Sequence, residues 1–311
     1  MAGRILVIKL GALGDFLQAA GPFAAIRAHH PDARITLLTT RPFADFAAAS
    51  PWFDEVWTDV RPKLWQFIEW MRLRGQLNGG RFNRVYDLQT SDRSSGYYRL
   101  FGKKPEWSGI ARSCSHPHAN PRRDFMHTME RQAEQLKMAG LDAVPAPSFS
   151  WVDTRIERFG LAERHALLAP AGALHRPEKR WPTDRFADLA NWLQDRGVQP
   201  VLLGTAGEAR ILDEIVFQAP GSRSLAGETS LSDLIALGRG ALAAIGNDTG
   251  PMHAAAMVGC PTVVVYSKAS DPALCAQRGP HVSILRRDDL KTLELANVTD
   301  ELSEPILRTL D

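Results

Sequence analysis

The 311-residue chain contains no apolar run approaching the ~18 residues of a membrane-spanning helix, so a helical integral membrane protein is excluded. It is also poor in cysteine. Cys114, Cys260 and Cys275 are odd in number and widely spaced, which excludes a disulfide framework and fits a reducing compartment. Low-complexity tracts and internal repeats are absent. Near the N-terminus, Arg4 and Lys9 flank an apolar stretch too short for a signal-peptide core, so it reads as a buried strand and the expected location is the cytoplasm. The tight run Cys114, His116, His118 has no structural zinc spacing and no evident fourth ligand, so no metal site is expected there.

What is present points to an α/β protein of two domains. The length suits two domains, and 44% hydrophobic with 23% charged residues is a globular composition. Strand-like runs at 4–8, 35–38 and 85–88 alternate with helical patterns at roughly 16–29, 62–77 and 124–139, with Pro22 kinking or restarting the first helix. A boundary falls near Pro145-Ala146-Pro147, giving domains 1–150 and 151–298 with a terminal helix in 299–311. In the second domain, strands are expected at 165–169, 200–203, 241–245 and 262–266. A helix over 183–196 is capped by Thr183, lined by Phe186, Leu189, Ala190 and Leu193, and closed by Gly197. Such alternation favours parallel sheets covered on both faces.

Charge is unevenly shared. Residues 1–150 hold 20 basic and 14 acidic side chains, and 61–123 alone hold 13 and 4. A surface of one sign attracts anionic partners over distance; the alternative is a merely solvated basic face. Trp65, Phe67, Ile68, Trp70 and Met71, beside Lys63, Arg72 and Arg74, form either a core helix or a face laid against a membrane. The irregular stretch 91–123 is either a substrate loop or a surface excursion.

Two short loops carry the chemistry. Lys9-Leu10-Gly11-Ala12-Leu13-Gly14-Asp15 follows the first strand, and Gly246-Asn247-Asp248-Thr249-Gly250-Pro251-Met252-His253 follows the strand near 245. Each places glycines and an acid where a strand ends and a helix begins, the place where open α/β sheets bind ligands. The first is not a Gly-x-Gly-x-x-Gly fingerprint, so a nicotinamide cofactor has little support. Asp15 either caps the helix or accepts a proton from a hydroxyl nucleophile. In the second loop, Thr249, Gly250 and His253 either offer a hydroxyl, a close backbone approach and a ring donor at a helix N-terminus suited to an anion, or form a capped turn with a partly buried histidine, and Asp248 holds the loop or makes a polar contact. Pro170-Ala171-Gly172-Ala173, followed by Lys179-Arg180-Trp181-Pro182, supplies a basic pair that either neutralises a leaving pyrophosphate or is an ordinary exposed pair. Glu208, after the strand at 200–203, is either a ribose contact or a first-turn helix acid.

Together, Ile5-Leu6-Val7-Ile8-Lys9-Leu10-Gly11-Ala12-Leu13-Gly14-Asp15, Lys179-Arg180-Trp181-Pro182 and Asp248-Thr249-Gly250-Pro251-Met252-His253 resemble glycosyltransferase family 9, the ADP-heptose:lipopolysaccharide heptosyltransferases. The resemblance implies a GT-B fold: two Rossmann-like domains with a ligand cleft between them, the acceptor held by the first and the nucleotide sugar by the second. It implies that the terminal helix packs back on the first domain. It implies inverting transfer of a heptose from an ADP-sugar to an anionic glycolipid of the lipopolysaccharide inner core, at the cytoplasmic face of a membrane and without a nucleic-acid partner. Asp15 matches the family's catalytic base and Lys179 its pyrophosphate-binding lysine. Thr249, Gly250 and His253 match its phosphate loop, with Gly14, Gly172, Arg180 and Asp248 close by and Glu208 near its ribose-binding acid. With fixed positive groups at the pyrophosphate, no bound metal or other cofactor is required. An epimerase acting on nucleotide sugars, a protein-glycosylating heptosyltransferase and a non-catalytic nucleotide-sugar binder suit the same fold. Retention of both Asp15 and Lys179 argues against the last.

Overall fold

The computed structural model describes residues 3–172 and 176–307, with side chains of the last helix described through Leu302. The chain divides into two compact units, Met1–Trp151 and Val152–Asp311.

Unit 1 opens with β1 (Arg4–Ile8), α1 (Leu13–Gln18), α2 (Ala20–His29), β2 (Arg34–Thr39), α3 (Arg41–Ala49) and β3 (Glu55–Thr58). It continues through α4 (Phe67–Gly79), β4 (Arg84–Asp87), α5 (Asp92–Tyr97), β5 (Glu106–Gly109), β6 (His116–Pro117) and α6 (Thr128–Met138). Its six strands lie in the order β3-β2-β1-β4-β5-β6, and every pairing is parallel. Ile5–Ile8 and Ile35–Leu38 read as unbroken apolar runs, apart from Thr36, because helices cover both faces of a parallel sheet. Leu6, Ile8, Leu38, Val85 and Trp107 form the core with Leu73 and Leu77 of α4.

Unit 2 contains β7 (His165–Ala169), α7 (Thr183–Gln194), β8 (Gln199–Leu202), α8 (Ala209–Gln218), β9 (Arg223–Ser224) and α9 (Leu231–Gly240). Then come β10 (Ala244–Asn247), α10 (Gly250–Met257), β11 (Thr262–Tyr266), α11 (Pro272–Cys275), β12 (Val282–Arg286) and α12 (Leu295–Leu307). The strand order is β12-β11-β10-β7-β8-β9, again all parallel. Counted from the start of each unit, both sheets have the order 3-2-1-4-5-6, the dinucleotide-fold arrangement. Phe186, Leu189, Ala190 and Leu193 of α7 are buried in the core, and Gly197, at a φ of 67°, turns the chain toward β8.

Several expectations are revised. The first helix breaks at Ala19, before Pro22, which falls in the first turn of α2. The helix expected from 62 begins at Phe67, because the backbone of 59–66 is held by side-chain bonds instead. The strand expected at 241–245 runs over 244–247. Thr183 is not a cap: Pro182 occupies that position and Thr183 is the first helical residue. The terminal helix is built into unit 2, where Val298 and Leu302 are wholly buried and α12 lies on α7, β11 and β12. Side chains beyond Leu302, residues 308–311 and Ala173 lie outside the described residues. The stretch 91–123 is more than a surface excursion, since it supplies α5 and the strands β5 and β6 at one side of the sheet.

Candidate active site

In this strand order the chain reverses direction of winding between the first and fourth strands, and the loops leaving their carboxyl ends diverge to form a crevice. In unit 1 that point lies between β1 and β4, and in unit 2 between β7 and β10. All the loops singled out from sequence, except that of Glu208, leave these four strands.

In unit 1, Gly11 has a φ of 131°, and a Cβ there would lie 3.1 Å from the Phe43 ring, so the turn requires glycine. Gly14 is buried in α1. Asp15 is the third residue of α1, half-buried, while Ala12 holds the cap position with no side-chain cap bond. The capping alternative for Asp15 is therefore not what the fold uses. Among the described residues, no donor is hydrogen-bonded to its carboxylate.

The surroundings of Asp15 are cationic. Lys9 is 3% exposed, and its ammonium donates to the Leu88 carbonyl at 3.2 Å. Burial lowers the Lys9 pKa, and the Asp15 charge partly offsets that, while Arg131 adds to the depression. Arg131 is itself lowered by burial and by Arg123, again with Asp15 offsetting. Asp87, at the end of β4, is fully buried. Burial pushes it up to about 6, against N–H groups of Thr90 at 3.0 Å and Gln89 at 3.2 Å that favour its charged form. Lys9, Asp87 and Arg131 were not singled out from sequence. The signal existed for two of them: a lysine ending one buried strand and an aspartate ending another are costly unless used.

Unit 2 is more tightly wired. Asp248 accepts from Lys179 Nζ at 3.1 Å, Ser270 Oγ at 2.7 Å, the Tyr266 hydroxyl at 3.0 Å and Gln277 Nε2 at 3.3 Å. Burial alone would raise its pKa, but the Ser270 hydroxyl, Lys179 and Tyr266 together hold the carboxyl below its ordinary value. Asn247 ties three segments: its Oδ1 accepts from the Trp181 N–H at 2.8 Å and its Nδ2 donates to the Pro170 carbonyl at 2.7 Å. The buried Trp181 indole donates to the Leu293 carbonyl at 2.9 Å, so the residues just before it are fixed in place. Arg180 donates to the Gly172 carbonyl at 2.9 Å, and a Cβ on Gly172 would meet the Thr249 methyl at 3.2 Å. The sequence thus brings Gly172, Lys179, Arg180, Asp248 and Thr249 to one place.

Thr249 is the N-cap of α10 in extended conformation, but its side chain makes no cap bond, and Oγ1 is buried without a hydrogen-bond partner among the described residues. Such an orphan is costly unless something else supplies its partner. Gly250 opens the helix, and His253 lies 5% exposed within it. The close approach of β10 to β7 depends on Gly246, whose Cβ would lie 2.7 Å from both Ala169 Cβ and Met252 Sδ. Glu208 stands apart, using Oε2 to accept from the Thr205 N–H at 2.7 Å and hydroxyl at 2.8 Å in a helix cap, which is the simpler of its two readings. His116 bonds Arg84 and Ser115, and His118 bonds Glu134, so neither ring is arranged with Cys114 as a ligand set.

A family model described as glycosyltransferase family 9 (heptosyltransferase) matches residues 70–298, spanning Lys179 through His253 but not Asp15. Lipopolysaccharide heptosyltransferase 2 of Escherichia coli strain K12 is 25% identical over 291 residues, covering 86% of this chain and 83% of that protein. Among solved structures, the Escherichia coli ADP-heptose LPS heptosyltransferase II superposes with a TM-score of 0.80 at 24% identity, over 99% of this chain and 100% of that one. A family 9 glycosyl transferase from Veillonella parvula gives a TM-score of 0.84 at 20% identity, over 98% and 97%. The structural likenesses show that the two sheets are those of a GT-B fold. The chain belongs to glycosyltransferase family 9, the heptosyltransferase family, and is a glycosyltransferase enzyme.

Proposed function

We propose that the protein transfers a heptose from ADP-heptose to an anionic lipopolysaccharide inner-core acceptor, with inversion at the anomeric carbon. The observation that carries this reading is the Asp15 carboxylate: half-buried, without a hydrogen-bond donor among the described residues, and set at a switch point beside Lys9 and Arg131. Asp15 accepts the proton of the acceptor hydroxyl as its oxygen attacks the anomeric carbon, and the bond from that carbon to the ADP oxygen breaks. Arg131 and Arg123 attract anionic groups of the acceptor to the same loop cluster. The leaving ADP carries growing negative charge. Lys179, the Thr249 hydroxyl and the free N–H groups opening α10 at Gly250 stabilise it, with His253 in the same turn. Arg180 and Gly172 keep that loop close, and the Glu208 oxygen not used by the cap accepts from the ribose. These cationic and N–H donors do the charge neutralisation that a divalent ion would otherwise do.

The relatives named for lipopolysaccharide heptosyl transfer support the donor and acceptor classes. Asp15→Asn keeps the shape of the side chain and removes proton acceptance. Turnover falls by ~10²–10⁴ where a general base is lost, while ADP affinity stays near that of the wild type. Near-normal turnover of Asp15→Asn would overturn the assignment. Release of a new sugar product without any acceptor would instead favour the epimerase reading.

A further inference from the structure

Loop 59–66 and the outer face of α4 turn Val60, Leu64, Trp65, Phe67, Ile68 and Met71 to solvent, each between 65% and 83% exposed. Single exposed apolar residues need no account, but six within twelve residues form a patch. Helix α4 is apolar on two faces. Leu73 and Leu77 enter the unit 1 core, and Phe67, Ile68 and Met71 lie exposed on another side.

The loop is built to hold this arrangement. Buried Asp59 accepts from the Tyr97 hydroxyl at 2.6 Å and the Arg61 N–H at 2.7 Å. Arg93 donates to the Pro62 carbonyl at 3.1 Å, the Lys63 N–H to Gln66 Oε1 at 2.7 Å, and the Trp70 indole to the Lys63 carbonyl at 3.1 Å. The backbone is thus fixed from inside while its apolar side chains are held outward.

Charge identifies the occupant. Arg61, Lys63, Arg72 and Arg74 are all exposed and interleaved with the apolar residues, and the Lys63 ammonium lies 5.2 Å from the Trp65 ring. The one acid between residues 60 and 74, Glu69, is paired with Arg72. Apolar side chains ringed by long cationic ones, whose stems lie along hydrocarbon while their heads reach phosphate, suit an anionic lipid surface. Topology adds the direction. Strand β3 is parallel to β1 and two places away, so the patch leaves the same sheet edge as the Gly11–Asp15 loop, about 10 Å to the side by strand spacing.

We propose that this patch docks the protein on a bilayer rich in anionic phospholipid, presenting the Asp15 edge to an acceptor anchored there. The purpose assigned to the docking rests on the glycolipid reading above, but vesicle binding is measured without donor or acceptor, so the two fail separately.

The test is flotation with vesicles of phosphatidylethanolamine and phosphatidylglycerol, against vesicles of phosphatidylcholine alone. Wild-type protein should float with the anionic vesicles, less so as salt rises. A variant with Leu64→Ser, Trp65→Ser, Phe67→Ser and Met71→Ser should lose at least ~10-fold in partitioning. It should keep the wild-type thermal transition and wild-type turnover on a deacylated, water-soluble acceptor. A second variant, Arg61→Glu with Lys63→Glu and Arg72→Glu, should lose the preference for phosphatidylglycerol. No flotation of the wild type, or equal flotation of wild type and the serine variant, would overturn the proposal. So would a concentration-dependent dimer in sedimentation that the serine variant abolishes, since the patch would then cover a second copy.

Discussion

Removing either member of the Lys179–Asp248 pair should reveal a coupling large enough to measure and should identify what the pair is for. The two groups meet at 3.1 Å with side chains only 19% and 10% exposed, so the pair is largely out of water. A charge-assisted hydrogen bond in such a place contributes about 1.5–3 kcal/mol. Stripping away one partner costs more, because the other charge stays buried without compensation, and such losses run to about 3–5 kcal/mol. Asp248→Asn keeps one acceptor oxygen, for Ser270 on Oδ2 or Tyr266 on Oδ1, and the other hydroxyl can turn to accept from the new amide N–H, so its cost falls at the lower end. Urea denaturation of Asp248→Asn, Lys179→Met and the double variant gives the coupling directly. We expect about 1.5–3 kcal/mol, with the asparagine change costing less once the lysine is gone. A coupling below about 0.5 kcal/mol, which is ordinary additivity, would refute the pair as a fixed element.

The same pair carries a pH signature. The Asp248 carboxyl is held below its ordinary value, so the folded state releases its proton more readily than the unfolded chain. Its contribution to stability is therefore present above the unfolded carboxyl pKa of about 4 and is lost as pH falls through the folded value. In Asp248→Asn, stability should fall less steeply on acidification than in the wild type. If Lys179 also serves the leaving group, Lys179→Met should weaken ADP binding by about 10–150-fold, the affinity equivalent of the same 1.5–3 kcal/mol. Calorimetric titration showing unchanged ADP affinity would leave Lys179 a structural residue only.

Asp87 predicts the opposite sign. With a folded pKa of about 6 against an ordinary 3.8, it favours the folded state most below pH 4 and loses that contribution as pH rises to 6, about 3 kcal/mol by linkage. Asp87→Asn should therefore gain thermal stability relative to wild type between pH 4 and 7, and parallel pH profiles would refute this. Acceptor KM should rise with ionic strength more steeply than donor KM, because exposed charge is screened over a Debye length of ~8 Å at physiological salt. Arg122→Glu should raise acceptor KM with ADP affinity nearly intact; Arg122 is the cleaner site because Arg123 is already paired with Asp124. A salt-independent acceptor KM with a silent Arg122→Glu would mean a merely solvated surface. Transfer should persist in EDTA, and activity lost to chelation and restored by magnesium would show that a metal shares the work assigned to Lys179 and α10.

The central strands of both sheets were legible because they are apolar on both faces, whereas the marginal strands β3, β5, β6, β9 and β12 were not expected. Ile5–Ile8 and Thr262–Tyr266 admit few readings, and glycines sit where backbones must turn or meet. Elements failed to match where side chains decided the backbone. Thr183 has the right chemistry for a cap, but Pro182 takes the position one residue earlier. The helix expected from 62 starts at Phe67 because Asp59 and Gln66 bond the preceding loop from within and Arg93 bonds it from 31 residues away, a partner that the local pattern does not show. The terminal helix shows the same limit. Its amphipathic pattern demands a core, but only packing shows that Val298 and Leu302 enter that of unit 2.

The site was legible in its loops and illegible in its wiring, for the same reason. Glycines and acids at strand ends are local features, so Asp15, Lys179 and the Asp248–His253 loop could be found one at a time. What distinguishes their chemistry is non-local. Among the described residues Asp15 has no donor on its carboxylate and has Lys9 and Arg131 beside it, whereas Asp248 has Lys179, Ser270, Tyr266 and Gln277 bonded to it. Two aspartates at equivalent switch points therefore differ in what they can do. A carboxylate already satisfied by four donors is a poor proton acceptor and a good tether, and one left without donors is the reverse. Since both sheets have the same strand order, the fold alone cannot assign these roles. The hydrogen-bond partners differ, and on that difference rests the proposed division of labour, a hydroxyl activated in unit 1 and an anion held in unit 2.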